Sequence, residues 1–239
     1  MRFLLSEMRR GRRWLIRNTR RPRVGAVDFG TFARLDPVSR DWGFDRGTPV
    51  DRHYIEGFLK AHSGDIRGDI LEIADNAYTL RFGGDKVRKS DILQPVEGDA
   101  KATVIADLGT GEGVPTGRYD CIICTQTLQF IYQTHKAIAS LHKMLRSSGV
   151  LLMTVPGISQ ISREDMERTG DYWRFTTASI NRLLTESFGD SVTVQSVGNV
   201  YAATAFLQGV AVEELDLDSL AISDPQYQLL LVCRAVRGK

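Results

Sequence analysis

The sequence has no apolar run near the roughly 20 residues that a membrane span needs, so a soluble or peripheral protein is expected. It has only three cysteines and no framework of pairs, which points to a reducing, cytoplasmic setting rather than a disulfide scaffold. It also has almost no net charge: 31 basic against 29 acidic residues leave no overall field to gather nucleic acid, and no specific nucleic-acid partner is expected. Repeats and low-complexity stretches are absent. One absence is local: the turn after the first expected strand reads Ala74, Asp75, Asn76, Ala77, Tyr78, with no glycine until Gly83 and Gly84.

What is present suits one α/β domain with an extension, since a chain of this length can bury roughly 70% of its unfolded surface in one core. Ile70, Leu71 and Ile73 form a short apolar run without polar alternation, the pattern of a parallel strand covered on both faces. A second short strand is expected to end at Asp91, about twenty residues beyond the turn, at the spacing where nucleotide-binding α/β folds hold ribose hydroxyls, so the spacing points to an adenosine ligand. Further strands are expected over 102–107, 119–125, 149–155, 191–197 and 227–236, which with the first two makes seven. Helices are expected over about 50–62, opened by Pro49, and over 134–146.

These stretches resemble a class I S-adenosylmethionine-dependent methyltransferase, in the type 11-like branch. The residues that carry the resemblance are LEIAD, SDI, IADL, YDCIICTQTLQFI and LRSSGVLL, in order and spacing from about Trp42 to the C-terminus. The implied fold is α/β, a Rossmann-like doubly wound seven-stranded sheet, mostly parallel with an antiparallel last strand. The implied cofactor is S-adenosylmethionine, held by Glu72, Ala74, Asp75 and Asn76 at the first turn and by Asp91 at the ribose. Asp107 and Leu108 would meet the adenine, and Thr125 and Gln126 would line the transferable methyl. Within the resembling group an EIGDNTYT-like turn followed by RFGG occurs, so the glycine-poor turn is compatible with a cofactor.

The resemblance also implies an acceptor site. Asp171, Tyr172, Trp173 and Arg174 sit in a charged and aromatic loop at the sheet edge, where Tyr172 and Trp173 would stack on a sugar or aromatic acceptor and Arg174 would fix an anion. Trp42 and Arg46 are further substrate candidates, with loop packing and a loop ion pair as their ordinary alternatives. A hydroxyl acceptor needs a base, for which His53 and Asp171 are the candidates. The expected reaction is methyl transfer to a small-molecule or glycan acceptor, most simply through oxygen. A methyltransferase-like scaffold or partner protein that has lost its cofactor is the alternative from another class.

The domain plan is a basic N-terminal extension over 1–25 and a methyltransferase domain over 26–239, with a cap over 26–62 and lid or insertion segments over 157–176 and 199–226. Nine arginines against Glu7 alone, with Trp14, Leu15 and Ile16 interleaved, give residues 1–24 the make-up of a segment that lies on an anionic membrane surface. A disordered tail is the plain alternative. LGTGEG at 108–113 does not open a helix and reads as a crossing loop rather than a phosphate cradle. Cys121 and Cys124 lie three apart on one strand, so they face opposite sides and cannot share a metal; no metal site is expected.

Overall fold

The computed structural model describes Thr19, Pro22, Arg23 and residues 25–238. The proposed membrane-surface segment over 1–24 therefore lies almost wholly outside the described residues. The chain divides into two units, Met1–Val38 and Ser39–Lys239. In the first, the Asp28 carboxylate accepts from the Gly30 N–H at 2.8 Å and opens a single turn, Gly30–Phe32. All that follows concerns the second.

Seven strands form one sheet: β1 Gly68–Ile73, β2 Val87–Gln94, β3 Val104–Ile105, β4 Tyr119–Thr125, β5 Leu145–Pro156, β6 Val192–Val197 and β7 Leu230–Val236. Their order is β3-β2-β1-β4-β5-β7-β6. Neighbours from β3 to β5 run parallel, while β7 runs antiparallel to both β5 and β6, as expected for the last strand. The order reverses between β1 and β4, and at such a switch point the loops diverge and leave a crevice at the carboxyl ends of the strands.

Helices cover both faces. Helix α1, Val50–Ala61, follows Pro49 as the periodicity predicts and buries Val50, Asp51, Ile55 and Leu59. Helix α2, Thr134–Met144, buries Ala137, Ile138, Leu141 and Met144. A short helix α3, Arg163–Arg168, lies in the loop after β5. Helix α4, Thr177–Phe188, is opened by a reciprocal Thr176–Ser179 capping box, which satisfies backbone donors that the first turn leaves free. Helices α5, Val200–Gln208, and α6, Leu217–Ala221, occupy the insertion before β7. On β4, Cys124 joins the core cluster with Ile122 and Leu151, whereas the equally buried Cys121 lies outside that cluster.

Several boundaries differ from the sequence expectation, among them the start of β7, at Leu230 rather than 227, and the end of α2, at Met144 rather than 146. Strand β2 runs on through Ile92 and Leu93 to Gln94, because these residues pair with Glu72 and Ile73 of β1. Strand β3 keeps only Val104 and Ile105. Strand β5 starts at Leu145, which pairs with Tyr119 before Ser148 takes a left-handed φ of 64°.

The segment over 39–48 is tied to the insertion over 199–226. Ser39 N–H donates to Gln208 O at 3.0 Å, and Val212 N–H donates to Thr48 O at 2.8 Å. The Glu213 carboxylate accepts from Thr48 N–H at 2.8 Å and from its hydroxyl at 2.6 Å. Gly209 closes α5 with φ 66°, and a Cβ there would lie 2.3 Å from Ser39 O, so only glycine admits this approach.

Candidate active site

A cleft of about 740 Å³ opens at the carboxyl ends of β1, β2 and β4. Its floor is the turn after β1. Glu72, buried at the end of the apolar run, accepts from Tyr78 N–H at 3.2 Å and from the Thr79 N–H and hydroxyl at 2.7 Å each. It thereby caps the helical segment Thr79–Gly83. Burial outweighs these bonds and pushes its carboxyl up to about 7. Ala74 turns the chain with φ 74°, a conformation that a Cβ disfavours, and its N–H donates to Leu93 O at 3.1 Å.

The far wall is the loop after β3. Asp107 Oδ1 accepts from the N–H groups of Gly109 and Thr110 at 2.7 and 3.2 Å, while Oδ2 has no partner among the described residues. Leu108 is buried beside it. Asp75, Thr125, Gln126 and Tyr172 line the same cleft, so the structure brings together eight of the expected residues: Glu72, Ala74, Asp75, Asp107, Leu108, Thr125, Gln126 and Tyr172.

Two expected cofactor residues are not in that lining. The Asn76 amide donates to Ser90 Oγ at 3.1 Å. Asp91 sits mid-strand, paired with Leu71, and is almost fully buried. Its carboxylate accepts from Lys89 Nζ at 2.9 Å, Thr103 Oγ1 at 3.0 Å, and Arg118 and Tyr119 at 3.1 Å each. Burial pushes this group up, but the bonds from Lys89, Thr103 and Tyr119 outweigh it and hold it below the ordinary carboxylate range. The assignment of Asp91 to the ribose is corrected accordingly: the strand ends three residues later, and Gln94 lines the cleft in its place. Gln94 Nε2 donates to Ala74 O at 3.0 Å and to Asp99 at 3.1 Å.

A second cavity of about 210 Å³ adjoins the first, and Arg52, Gln126, Phe130 and Asp165 line both. Trp42, with φ 51°, and Phe44 line it from the segment before α1. Asp171 and Arg174 line it from the loop after β5, but they are committed to each other at 2.6 and 2.9 Å. Asp171 also accepts from Ser162 N–H at 2.9 Å, and Arg174 donates to the carbonyls of Gln160, at 2.5 Å, and Trp173, at 2.8 Å. Burial pushes the Asp171 carboxyl up, yet Arg174 and the Ser162 N–H outweigh it and hold it low, so this acid clamps the loop rather than waiting for a proton.

The remaining candidates line neither cavity. Arg46 pairs with Glu214 in an exposed, two-pronged contact, its Nε donating at 2.9 Å. The His53 ring lies edge-on to Tyr54. Trp173 stacks on Tyr132 at 5.8 Å between ring centres, and Tyr132 meets Tyr172 edge-on at 5.3 Å. Tyr132 itself lines the cleft, so this aromatic group stands at its mouth.

Sequence reasoning missed Asp51, Arg52, Gln94 and Gln129. For Asp51 a signal existed: Ile55 and Leu59 fall four and eight residues later, which puts an acid on the buried stripe of α1. Arg52 donates to Tyr78 OH at 3.0 Å and lies 5.9 Å from the Phe44 ring centre, so it stands between the turn and the second cavity.

No protein-family model and no curated protein matches the sequence. Solved structures do match it. The N-methyltransferase NodS from Bradyrhizobium japonicum, in complex with S-adenosylhomocysteine, aligns with TM-score 0.51 at 15% identity over 85% of this chain and 95% of its own. An S-adenosylmethionine-dependent methyltransferase from Mesorhizobium loti aligns with TM-score 0.50 at 14% identity over 82% of this chain and 100% of its own. The [4+2]-cyclase SpnF aligns with TM-score 0.51 at 11% identity over 81% of this chain and 83% of its own. These likenesses show the fold: the chain has the Rossmann-like fold of class I S-adenosylmethionine-dependent methyltransferases. The cyclase among them illustrates that this fold alone does not fix the reaction.

Proposed function

We propose that the chain transfers a methyl group from S-adenosylmethionine to a hydroxyl of a small-molecule or glycan acceptor. The observation that carries this reading is the pair of adjoining cavities at the switch point of the sheet, one of about 740 Å³ and one of about 210 Å³, with Gln126 and Arg52 in the lining of both.

The cleft residues fit the cofactor. Asp107 offers its Oδ2, which has no partner among the described residues, to an adenine amino group, and Leu108 gives an apolar wall for the ring. Gln94 uses its amide N–H groups on Ala74 and Asp99, which leaves its carbonyl to accept from a ribose hydroxyl. Arg52 is suited to the carboxylate of the methionine portion, and Asp75 and Glu72 to its ammonium. When bound, the cofactor supplies an already electrophilic sulfonium methyl. The protein then has to align an acceptor lone pair and keep water out, for which the smaller cavity and the Tyr132–Tyr172–Trp173 group at the cleft mouth are placed.

A scaffold that has lost its cofactor is the second reading, and two observations favour it: an amide rather than a carboxylate at the end of β2, and a Cβ at the left-handed turn after β1. Calorimetry with S-adenosylmethionine and S-adenosylhomocysteine separates the two. Micromolar binding that weakens at least tenfold in Asp107→Ala is expected; a folded sample giving no heat with either ligand turns the assignment to the scaffold. The arginine-rich residues 1–24 are proposed to hold the protein at an anionic membrane surface. Loss of sedimentation with anionic vesicles on their deletion is the expected result, and unchanged sedimentation refutes it.

A further inference from the structure

The smaller cavity has an unusual balance of groups. Trp42, Phe44 and Phe130 give it aromatic walls. Its lining includes the Asp51 carboxylate, Gln129 and Gln160, and the side-chain carbonyls of both glutamines are buried with no hydrogen-bond partner among the described residues. Gln129 is more than nine-tenths buried, and its amide N–H groups are spent on Gln126, donating to its backbone carbonyl at 2.9 Å. A buried carbonyl left without a donor is costly, so a ligand that brings donors recovers that cost.

Charge narrows the ligand further. Arg174 and Asp171 neutralise each other, and Arg52 faces Asp51 and Asp165, so the lining does not favour an anion. A neutral molecule with apolar ring faces and several O–H donors around its edge satisfies both sets of walls. Size agrees: a cavity of about 150 Å³ is enough to hold benzene, so about 210 Å³ holds one substituted six-membered ring.

Asp51 is the acid of this cavity whose environment favours taking up a proton. Asp171 is locked to Arg174, and Asp165 accepts from the Ser162 hydroxyl at 2.6 Å. Asp51 lies in the first turn of α1, and its Oδ1 accepts from Arg52 N–H at 2.8 Å. Burial pushes its carboxyl up, against the opposing charge of Arg52 and the nearby Gln126 amide.

Resting on the methyl-transfer reading above, we infer that this cavity binds a single neutral sugar ring and that Asp51 removes the proton of the hydroxyl that is methylated. In that step the acceptor oxygen forms a bond to the methyl carbon, the carbon–sulfur bond breaks and leaves the thioether, and the hydroxyl proton passes to the Asp51 carboxylate. Gln129 and Gln160 accept from the neighbouring hydroxyls and set which one faces the cleft.

The test uses the full chain saturated with S-adenosylhomocysteine and four probes, the methyl pyranosides of glucose, galactose, mannose and rhamnose, with tyramine and benzoate as charged controls. Calorimetry first establishes that wild type and Asp51→Asn bind S-adenosylhomocysteine within about threefold of each other. Absence of binding in the wild type defeats the methyl-transfer reading itself and is thereby distinguished from failure of the sugar site. Saturation-transfer NMR is then expected to show at least one sugar contacted, its signal lost in Asp51→Ala and reduced in Gln129→Leu, which keeps the side-chain bulk. No sugar contacted by the loaded wild type, a control bound in preference, or signals unchanged in both variants overturns the sugar site. With the sugar that binds, transfer of a radiolabelled methyl is expected to fall about a hundredfold or more in kcat for Asp51→Asn, with KM within about threefold. Binding without transfer by the wild type, or a kcat in Asp51→Asn within threefold of wild type, overturns the role given to Asp51.

Discussion

Glu72 Oε2 accepts both the N–H and the hydroxyl of Thr79 at 2.7 Å, so one buried carboxylate ties the end of the central strand to the turn that floors the cleft. Because burial raises this carboxyl to about 7 from an ordinary value of 4.5, the folded state holds the proton more tightly than the unfolded chain between those values. Its contribution to stability is therefore fully present below about pH 4.5 and is lost as pH rises through about 7. Glu72→Gln removes the titration and keeps an acceptor for Thr79. The stability difference between variant and wild type should shift in favour of the variant by roughly 2–3 kcal/mol from pH 5 to pH 8. Urea titrations of the ligand-free protein at these two pH values measure it, and identical pH slopes refute it.

Asp91 is predicted to matter for folding and not for the cofactor. Asp91→Asn leaves Lys89, Arg118 and Tyr119 around a neutral amide, and should cost roughly 2–4 kcal/mol of stability. Its folded carboxyl is depressed, so the contribution is present above the unfolded value of 3.8 and fades as pH falls through the folded one. Affinity for S-adenosylhomocysteine, measured on the folded variant, should stay within about threefold of wild type. A tenfold loss of affinity at unchanged stability would return Asp91 to the binding site.

The strands β1, β4, β5 and β7 and the helices α1 and α2 are legible as apolar runs or stripes, whereas α4, as long as α1, has no bounds in the sequence reading. Errors arose where a single acid was given more weight than its neighbours. The spacing makes Asp91 a strand end, although Ile92 and Leu93 after it carry the signal of a strand that continues. Asp171 and Arg174 have the residue types of a ligand clamp, and what the sequence does not display is that side chains three apart satisfy each other. Arg46 was read as a substrate contact or as half of a loop ion pair. Its partner is Glu214, 168 residues away, at a distance no local pattern encodes. The same holds for the union of the segment over 39–48 with the insertion. Conversely, Glu72 is legible as an acid needing a partner, since the apolar Leu71 and Ile73 flank it.

That union is open to a single-residue test at Gly209. Alanine there must adopt a left-handed φ of 66° and place its Cβ 2.3 Å from Ser39 O, a backbone atom that cannot rotate away. The left-handed strain alone is about 1–2 kcal/mol, and the clash adds to it. Gly209→Ala should therefore open the segment over 39–48 locally, with faster hydrogen exchange at Ser39 and Val212 while β4 and β5 stay protected. Unchanged exchange at both amides would mean that the segment is held by other contacts.

Ala74 bears most directly on whether the cleft takes a cofactor. Its φ of 74° lies where glycine is at ease and a Cβ costs about 1–2 kcal/mol, and the residue lines the cleft. Strain retained at a site's floor indicates that the surrounding bonds over-determine the turn; here these are Ala74 N–H to Leu93 O and Gln94 Nε2 to Ala74 O. Ala74→Gly relieves the strain but gives the unfolded chain more freedom, so the net gain should be small, up to about 1 kcal/mol, seen as a modest rise in Tm. It also removes a methyl group from the cleft wall. If that wall meets a cofactor, S-adenosylhomocysteine should bind at least as tightly to the variant as to wild type. If the cleft has lost its cofactor, the variant should gain stability with no heat from either ligand. A fall in Tm of several degrees would instead show that the turn does not hold the left-handed conformation in solution.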